Sequence, residues 1–377
     1  MFRKLVGLLL LAPAAAVLRF AIALDGAWLE RHVVLPAIYP PPLPSFVLPL
    51  LQGGSLLLGL LLLVGSILAF RRATWEGALR VGLALLLSLC ASELGIRLLF
   101  RALPVPETRI EARLSAPDPR TGWSFVPGRV VDLPLRGSGR TIRYAIDAHG
   151  DRAPSADWVE DENAPTILVT GESIATGHGL DWSDTFGARL GELEGAQVVN
   201  VAEGGYGSDQ AHLRAVAALS RLAHPLAVVT TVLPVQLYRN LHDDRPHLVE
   251  RGSALILAPA RPCVLRLREF FSNELPYLGE GSLKESLVLT RRILLETSAV
   301  SRARGARPLF VVPSFGPPRA LPDHPEAFIV RALLDGLPYV LVDLSPERLL
   351  PYDGHPDPEG ARQIARAIAA ALDRPES

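Results

Sequence analysis

Three long apolar stretches in the first hundred or so residues constrain this chain more than any other feature of its sequence. A helix needs about 20 consecutive apolar residues to cross a bilayer, and each stretch is long enough. In lipid the backbone N–H and C=O groups must be satisfied within the segment, so such a stretch is stable there as a helix. We therefore predict three transmembrane helices, at about 5–24, 46–70 and 80–100, within a membrane region that covers residues 1–103.

The basic residues that flank these stretches fall on one side of the predicted membrane. The positive-inside rule places such residues in the cytoplasm. We therefore predict a multi-pass membrane protein with its N-terminus inside and the chain after residue 103 in the extracytoplasmic space. The residues that carry this argument are Arg3, Lys4, Arg71, Arg72 and Arg80.

The first apolar stretch has a second interpretation. Arg3 and Lys4 precede an apolar core, and small residues occupy 14–16. This is also the composition of a secretory signal peptide. Both interpretations leave the later part of the chain on the same side of the membrane, so whether this segment is cleaved stays open.

Charge and cysteine content exclude several classes of protein. The net charge is -1, so no basic surface indicates nucleic-acid binding. Cys90 lies in the third apolar stretch and Cys263 lies in the later part of the chain, so we expect no disulfide. A metal site is also not expected, because Asp353, His355 and Asp357 lack further ligands at metal-binding spacing. We predict no cofactor.

Residues 104–160 form a β-rich lead-in. Proline and glycine are frequent, and the apolar residues Ile142, Tyr144 and Ile146 alternate as in a strand. The segment has too few apolar residues to form a core of its own. We therefore expect it to pack on the domain that follows.

From residue 161 onward, short apolar runs alternate with helical segments. Nearly continuous apolar runs are typical of buried parallel strands, and this alternation predicts a sheet covered by helices on both faces. We therefore predict a three-layer α/β/α domain over 161–377 with a parallel five-stranded sheet. The predicted strands are 166–171, 196–201, 226–233, 307–313 and 338–343, and the predicted helices are 183–193, 208–223, 284–304, 325–335 and 358–373.

Residues 241–283 are too long for a simple connection between a strand and a helix. Such loops usually run about 2–6 residues, and longer ones are often lids or binding loops. We predict an insertion here. Its aromatic residues either line a pocket for an acyl group or a glycan, or anchor the insertion to the body of the domain; these residues include Phe270, Phe271 and Tyr277.

Residue types that could form a catalytic triad follow two of the predicted strands. Ser173 comes directly after the first strand, and Asp353 and His355 follow the fifth. A serine hydroxyl needs a base to become a nucleophile, histidine suits that role near neutral pH, and a carboxylate orients the histidine. Each motif alone also fits a helix cap or a solvated turn. Because the carboxyl ends of parallel strands meet at one edge of a sheet, we expect these residues to lie together.

Three motifs in this part of the chain resemble blocks I, II and V of the SGNH (GDSL-type) hydrolases. They are Gly171-Glu172-Ser173, the segment 200–207, which contains Gly204-Gly205, and Asp353-Gly354-His355-Pro356. The resemblance covers about residues 118–375, and the segments 118–123 and 146–152 resemble the part that precedes block I in membrane-anchored bacterial members.

The resemblance implies a role for each of these residues. Ser173 would be the nucleophile, His355 the base and Asp353 its partner. The backbone N–H groups of Ser173 and Gly205 would form part of the oxyanion hole.

The chain departs from the family pattern in two places. Glu172 stands where block I usually has Asp. In block III, Val235 aligns with the Asn whose side chain completes the oxyanion hole. Gln236 or Asn240 could supply an amide group from a neighbouring position, and the sequence does not choose between them.

The resemblance implies an esterase that acts through an acyl-serine intermediate. Its expected partners are the bilayer and an acyl ester, such as an O-acyl group of a glycan or lipid. The expected location is a bacterial inner membrane with a periplasmic catalytic domain. Two alternatives are an O-acyltransferase that modifies an envelope polymer and a non-catalytic glycan-binding module on a degenerate hydrolase scaffold.

Overall fold

The structure is a computed structural model. It describes residues 2–29, 32, 46–102, 113–135, 138–261, 265, 267, 279–315, 325–351 and 353–374. The chain divides into two compact units. The first contains Met1–Val34, Pro40–Pro104 and Cys263–Tyr277, and the second contains Leu35–Tyr39, Val105–Pro262 and Leu278–Ser377.

The apolar stretches of the first unit form helices, as the sequence predicts. Its helices are α1 (Phe2–Ala23), α2 (Gly26–Leu29), α3 (Val47–Arg72) and α4 (Trp75–Ala102). Three of them contain segments that are long and apolar enough to cross a membrane: Phe2–Ala23, Val47–Arg72 and Trp75–Leu98. Most of their large apolar side chains are exposed in the isolated chain, as lipid-facing side chains would be.

Small residues bring α1 and α3 into close contact. A Cβ atom on Gly7 would lie 2.6 Å from the ring of Phe70, and one on Gly59 would lie 2.6 Å from the side chain of Leu18. The Ser66 hydroxyl also donates to the Gly7 carbonyl oxygen at 2.8 Å. Close backbone approach at small residues and interhelical hydrogen bonds are the interactions that hold helices together in lipid.

An eight-stranded sheet forms the centre of the second unit. From one edge to the other its strands are Tyr339–Leu344 (β12), Arg307–Phe315 (β11), Pro225–Thr231 (β8), Thr166–Thr170 (β6), Gln197–Asn200 (β7), Arg152–Ala153 (β5), Thr141–Ile146 (β4) and Val130–Pro134 (β3). The strands β12, β11, β8, β6 and β7 are parallel to one another, and they correspond to the five predicted strands.

The remaining strands of the sheet come from the lead-in, so the prediction of five strands was too small. Val130–Pro134 (β3), Thr141–Ile146 (β4) and Arg152–Ala153 (β5) are antiparallel, and β5 pairs with β7 through Arg152 and Asn200. Without them β7 would be an exposed edge with unpaired backbone groups. The lead-in therefore packs on the domain by extending its sheet.

The lead-in also buries an apolar cluster of its own, contrary to expectation. Alternation along β3 and β4 points Leu133, Ile142 and Tyr144 to one side, where they meet Phe125. Phe125 ends a small hairpin formed by β1 (Ser115–Asp118) and β2 (Gly122–Phe125). A few large residues in strict alternation are thus sufficient to form this cluster.

Helices cover both faces of the parallel strands. Alternate residues of β6 point to opposite sides, so Val169 packs in one apolar cluster and Leu168 in another. The Val169 face is covered by Phe186–Glu194 (α6) and Pro358–Leu372 (α11), and the Leu168 face by Ser208–Leu219 (α7) and Glu280–Ala303 (α9). The three-layer α/β/α prediction is confirmed. The α-helices described in the second unit include α5 (Ser173–Thr176), α6 (Phe186–Glu194), α7 (Ser208–Leu219), α8 (Val235–Arg239), α9 (Glu280–Ala303), α10 (Pro325–Leu334) and α11 (Pro358–Leu372).

The predicted insertion begins with a hairpin. Strands β9 (His247–Arg251) and β10 (Ala254–Ala258) pair antiparallel, and α9 begins at Glu280. The aromatic residues that were candidates for a pocket, Phe270, Phe271 and Tyr277, lie outside the described residues.

Candidate active site

The turn after β6 presents Ser173 at the carboxyl edge of the sheet. Gly171 has a φ of 139°, and a Cβ atom there would lie 1.9 Å from Thr231 Oγ1. Only glycine fits this position. The chain then enters the short helix α5 at Ser173 and leaves it at Gly177, which is left-handed with φ 79°.

A braced turn before α11 carries Asp353 and His355. The Leu350 N–H donates to the His355 carbonyl oxygen at 2.7 Å, and the Asp357 N–H donates to the Arg348 carbonyl oxygen at 2.8 Å. Between the two functional residues Gly354 has a φ of 80°, which favours glycine. These bonds therefore fix the backbone of the turn relative to the start of the helix.

The structure brings Ser173, His355 and Asp353 into one hydrogen-bonded chain. His355 Nε2 lies 2.8 Å from Ser173 Oγ, and His355 Nδ1 is hydrogen-bonded to Asp353 Oδ1. The serine and the histidine are 182 residues apart in sequence. This is the order of groups that a nucleophile, a base and an orienting acid require.

The electrostatics of this group favour a neutral base beside a charged acid. Burial lowers the pKa of His355 below its usual value of 6.5, while its hydrogen bond to Asp353 acts in the opposite direction. Burial would raise the pKa of Asp353, but hydrogen bonds from His178 and His355 hold it well below its usual range. At neutral pH His355 is therefore able to accept the serine proton.

Glu172, which replaces the usual Asp, is fully buried directly beside the nucleophile. Its Oε2 accepts hydrogen bonds from the Ile174 N–H at 3.1 Å and from Ser173 Oγ at 2.9 Å, and its Oε1 accepts one from Thr231 at 3.2 Å. The carboxylate thus caps α5. It also competes with His355 for the single hydroxyl proton of Ser173.

Two backbone N–H groups are free to stabilise an oxyanion. Within the described residues, the N–H groups of Ser173 and Gly205 donate to no other protein group. The loop of Gly205 is tied to the nucleophile turn, because the Glu203 N–H donates to the Gly171 carbonyl oxygen at 3.3 Å. Trp123 packs beside Gly205, and its Nε1–H donates to the Gly204 carbonyl oxygen at 3.2 Å.

The two amide side chains proposed for the oxyanion hole are occupied elsewhere. Gln236 Oε1 accepts from Ser208 Oγ at 3.0 Å, and its amide nitrogen donates to the Thr231 carbonyl oxygen at 3.4 Å. Asn240 donates to Thr290 Oγ1 at 2.7 Å and accepts from the Asp209 N–H at 3.4 Å. Among the described residues, neither amide is hydrogen-bonded to the triad.

Helix geometry explains where these two amides point. Gln236 lies on α8, and Asn240 follows four residues later as the helical residue that caps its C-terminus, so the two side chains lie on the same side. That side meets the N-terminus of α7 at Ser208 and Asp209. Val235, at the aligned position, is buried in the same apolar cluster as Ile174, so it offers no hydrogen-bond donor.

A second histidine contacts the triad, and the sequence interpretation missed it. His178 Nε2 lies 3.1 Å from Asp353 Oδ2, and its ring stacks on His355 with centroids 4.2 Å apart and an interplanar angle of 22°. A lone histidine between two glycines carries no motif, so a single sequence gives no signal for it.

His178, Asp353 and His355 lie close enough together to suggest a metal site, since their ligand atoms fall within 4.8 Å of one another. The geometry favours hydrogen bonding instead. Both imidazole nitrogens that face the carboxylate are already paired with it. Nearly parallel stacked rings also direct their lone pairs along parallel lines rather than toward one point.

The loop after the nucleophile is held by Arg152, a fully buried residue of β5. Its guanidinium donates to the carbonyl oxygens of Thr176 and Gly177, each at 2.6 Å, and to that of Leu180. It also lies 4.2 Å from the ring centroid of Tyr144. The sequence predicted no contact for the segment 146–152. Through Arg152 this segment holds the loop after the nucleophile.

Glu203 joins the lead-in to the loop that carries Gly205. Its carboxyl group accepts from Ser115 Oγ, from the Phe125 N–H at 3.0 Å and from the Tyr206 hydroxyl at 3.0 Å. Burial raises the pKa of Glu203 to about 7, although these hydrogen bonds lower it in part. The Glu203 carboxyl group therefore loses its proton near neutral pH.

Replacing Glu203 with Gln is expected to reduce the dependence of stability on pH. The pKa rises from 4.5 to about 7 on folding, so the folded state binds this proton more tightly than the unfolded chain. The stabilisation is complete below pH 4.5 and is lost as the pH rises through about 7. Thermal unfolding of both proteins in one detergent across this range measures the effect, and equal slopes would contradict it.

No protein-family model and no curated protein matches the chain. Among solved structures, a lipolytic protein of the G-D-S-L family from Desulfitobacterium hafniense DCB-2 is 13% identical, with a TM-score of 0.34, over 55% of this chain and 99% of that one. The acetyl xylan esterase Est2A from the rumen bacterium Butyrivibrio proteoclasticus is 11% identical, with a TM-score of 0.34, over 57% of this chain and 64% of that one. TM-scores this low do not support a functional assignment.

Proposed function

We propose that this chain is an SGNH-type serine esterase that acts on acyl esters through an acyl-serine intermediate. The observation that supports it best is the hydrogen-bonded chain from Ser173 through His355 to Asp353. The free backbone N–H groups of Ser173 and Gly205 support the same proposal. The proposed substrate class is an O-acyl ester of a glycan or lipid.

The reaction begins when Ser173 Oγ attacks the ester carbonyl carbon. His355 Nε2 takes the hydroxyl proton as the new bond forms, and Asp353 stabilises the resulting imidazolium. The N–H groups of Ser173 and Gly205 stabilise the oxyanion of the tetrahedral intermediate. His355 then returns its proton to the leaving alcohol, which leaves an acyl-serine.

Water completes the cycle by the same route. His355 removes a proton from water as the oxygen attacks the acyl-serine carbonyl carbon, and it then protonates Ser173 Oγ as the acid leaves. An oxyanion donor is typically worth about 10²–10³ in rate. Since Val235 cannot supply the third donor, we expect slower turnover than at a site with a complete hole.

The proposed location is a bacterial inner membrane with the catalytic part of the chain on the periplasmic side. This rests on the apolar helices and on the one-sided distribution of basic residues. The proposed division is a membrane region over 1–103, a lead-in over 104–160 and a hydrolase domain over 161–377 with an insertion at about 241–283.

A non-catalytic glycan-binding module is the second candidate. It is favoured by the missing donor at Val235 and by the engagement of Gln236 and Asn240 in other hydrogen bonds. The complete triad argues against it, because a binding module does not need a base positioned on a serine.

Ester turnover by the full-length protein in detergent micelles tests these possibilities. The substrates are p-nitrophenyl acetate and a longer-chain p-nitrophenyl ester, with and without an acetylatable oligosaccharide. Turnover without the acceptor supports the esterase, and turnover that depends strongly on the acceptor supports an O-acyltransferase. No turnover in either case, with retained oligosaccharide binding, would replace the esterase proposal with the binding module.

A further inference from the structure

The acid of the triad has two histidine partners rather than one. Asp353 Oδ1 is hydrogen-bonded to His355 Nδ1, and Asp353 Oδ2 lies 3.1 Å from His178 Nε2. The two imidazole rings are stacked. A carboxylate with one partner can rotate about its Cβ–Cγ bond, whereas one with a partner on each oxygen has a fixed plane.

The backbone of His178 is held firmly enough to serve as an anchor. Its N–H donates to the Ser173 carbonyl oxygen at 2.9 Å. Arg152 holds the carbonyl oxygen of the preceding residue, Gly177, and the Gly179 N–H donates to the Tyr144 hydroxyl at 2.6 Å. Asp353, in contrast, lies on a turn. The second histidine therefore ties the acid of the triad to the loop of the nucleophile.

We propose that His178 is a positioning residue for the triad: its Nε2–H holds Oδ2 of Asp353, so that Oδ1 faces His355, and its ring fixes the plane of the base. This inference rests on the proposed function. His178 touches neither Ser173 Oγ nor the free N–H groups by any hydrogen bond that the structure describes. It acts through Asp353 and His355.

His178 also affects the charge balance of the base. Among the described residues, the ionisable groups that act on the stacked pair include Asp353 and Glu172, and Arg152 donates to the Gly177 carbonyl oxygen next to His178. The cleft beside His178 is lined by apolar side chains of α5, α6, α11 and the adjoining loops. Repulsion between His178 and His355 lowers the pKa of His355. Removing His178 therefore raises that pKa and moves the acid limb of activity to higher pH.

Two substitutions separate the hydrogen bond from the ring. In His178→Gln the amide nitrogen can take the place of Nε2 as a donor to Asp353, but the variant carries no charge. In His178→Phe a ring can still stack on His355, but no donor remains. His224→Gln is the matched control, because His224 is exposed and lies in the turn before β8.

The test measures the rate of covalent labelling by a fluorophosphonate as a function of pH, using full-length protein in detergent micelles. At alkaline pH we expect His178→Phe to label about tenfold more slowly than wild type, the equivalent of one charge-assisted hydrogen bond. We expect His178→Gln to label within a few-fold of wild type. Both variants should show the acid limb at higher pH, and His224→Gln should match wild type.

The outcomes separate this inference from the proposed function. Wild-type rates and an unchanged acid limb in folded His178→Phe would overturn the positioning role and leave the esterase proposal intact. Equal losses in the Phe and Gln variants with an unchanged acid limb would also overturn it, because they indicate a merely structural role. Wild-type protein that does not label at all would overturn the proposed function and this inference together.

Discussion

Replacing Ser173 with Ala is expected to abolish ester turnover and to leave the fold intact. The serine hydroxyl is the only group of the triad placed to attack the carbonyl carbon. Loss of a nucleophile of this kind costs on the order of 10⁶ in rate where chemistry limits turnover. The side chain lies at the edge of the sheet, at the first residue of a short helix, so the change removes little packing.

Hydrolysis rates and thermal unfolding of wild type and variant measure the effect of this substitution. Ser220→Ala is a suitable control, since Ser220 is exposed and its hydroxyl only donates to the carbonyl oxygen of Ala217, one turn earlier. The control should match wild type in both measurements. Turnover that survives in Ser173→Ala with an unchanged melting temperature would remove Ser173 from the mechanism.

The largest expected loss of stability follows from replacing Arg245 with Ala. Arg245 donates to both oxygens of Asp209, at 2.8 and 2.9 Å, and also to the Arg239 carbonyl oxygen at 2.9 Å. The side chains of the pair are only 7% and 0% exposed. Removing one partner leaves the other charge buried and unpaired, which typically costs about 3–5 kcal/mol. Chemical denaturation of the full-length protein in detergent measures the change.

An exposed ion pair provides the control for Arg245→Ala. Arg143 bonds Asp132 at 3.0 Å on the surface, where such pairs contribute little. Arg143→Ala should therefore change the denaturation midpoint only slightly. Equal effects of the two substitutions would show that the buried pair does not hold the second unit together. The double variant Arg245→Met with Asp209→Leu should recover part of the lost stability, because it leaves no unpaired charge.

The parallel strands, and the proximity of Ser173 to Asp353 and His355, could be predicted from the sequence because both depend on strong local patterns. The runs at β6, β7 and β8 are almost wholly apolar, and the order of strands and helices allows few arrangements. Ser173 follows β6 within three residues, and Asp353 and His355 lie between the end of β12 and the start of α11. Strand ends share an edge, so their meeting followed from topology.

The extra strands of the sheet could not be predicted in the same way. Strand β5 consists of Arg152 and Ala153 only, which is too short to show any periodicity. The position of β5 is set by tertiary contacts. Arg152 must reach three carbonyl oxygens of the loop after the nucleophile, and β7 needs a partner along its open edge. Neither of these interactions can be predicted from the local sequence.

The details of the site depended on side-chain direction, which sequence spacing does not reveal. Gln236 and Asn240 carry an amide group, which can serve in an oxyanion hole, and both follow the carboxyl end of β8. Their side chains meet Ser208 and Asp209 rather than the nucleophile. His178, in contrast, belongs to no sequence motif, yet it contacts both Asp353 and His355.

The most direct test of the account is to label the full-length protein in detergent micelles with a fluorophosphonate and to locate the label by peptide mass spectrometry. The compared proteins are wild type, Ser173→Ala and His355→Ala, each shown to be folded by its melting curve. The proposed chemistry predicts one label on Ser173 in wild type, none in Ser173→Ala and a greatly reduced rate in His355→Ala. A folded wild type that takes no label, or that takes it on another residue, would contradict the central claim that Ser173 is a nucleophile activated by His355.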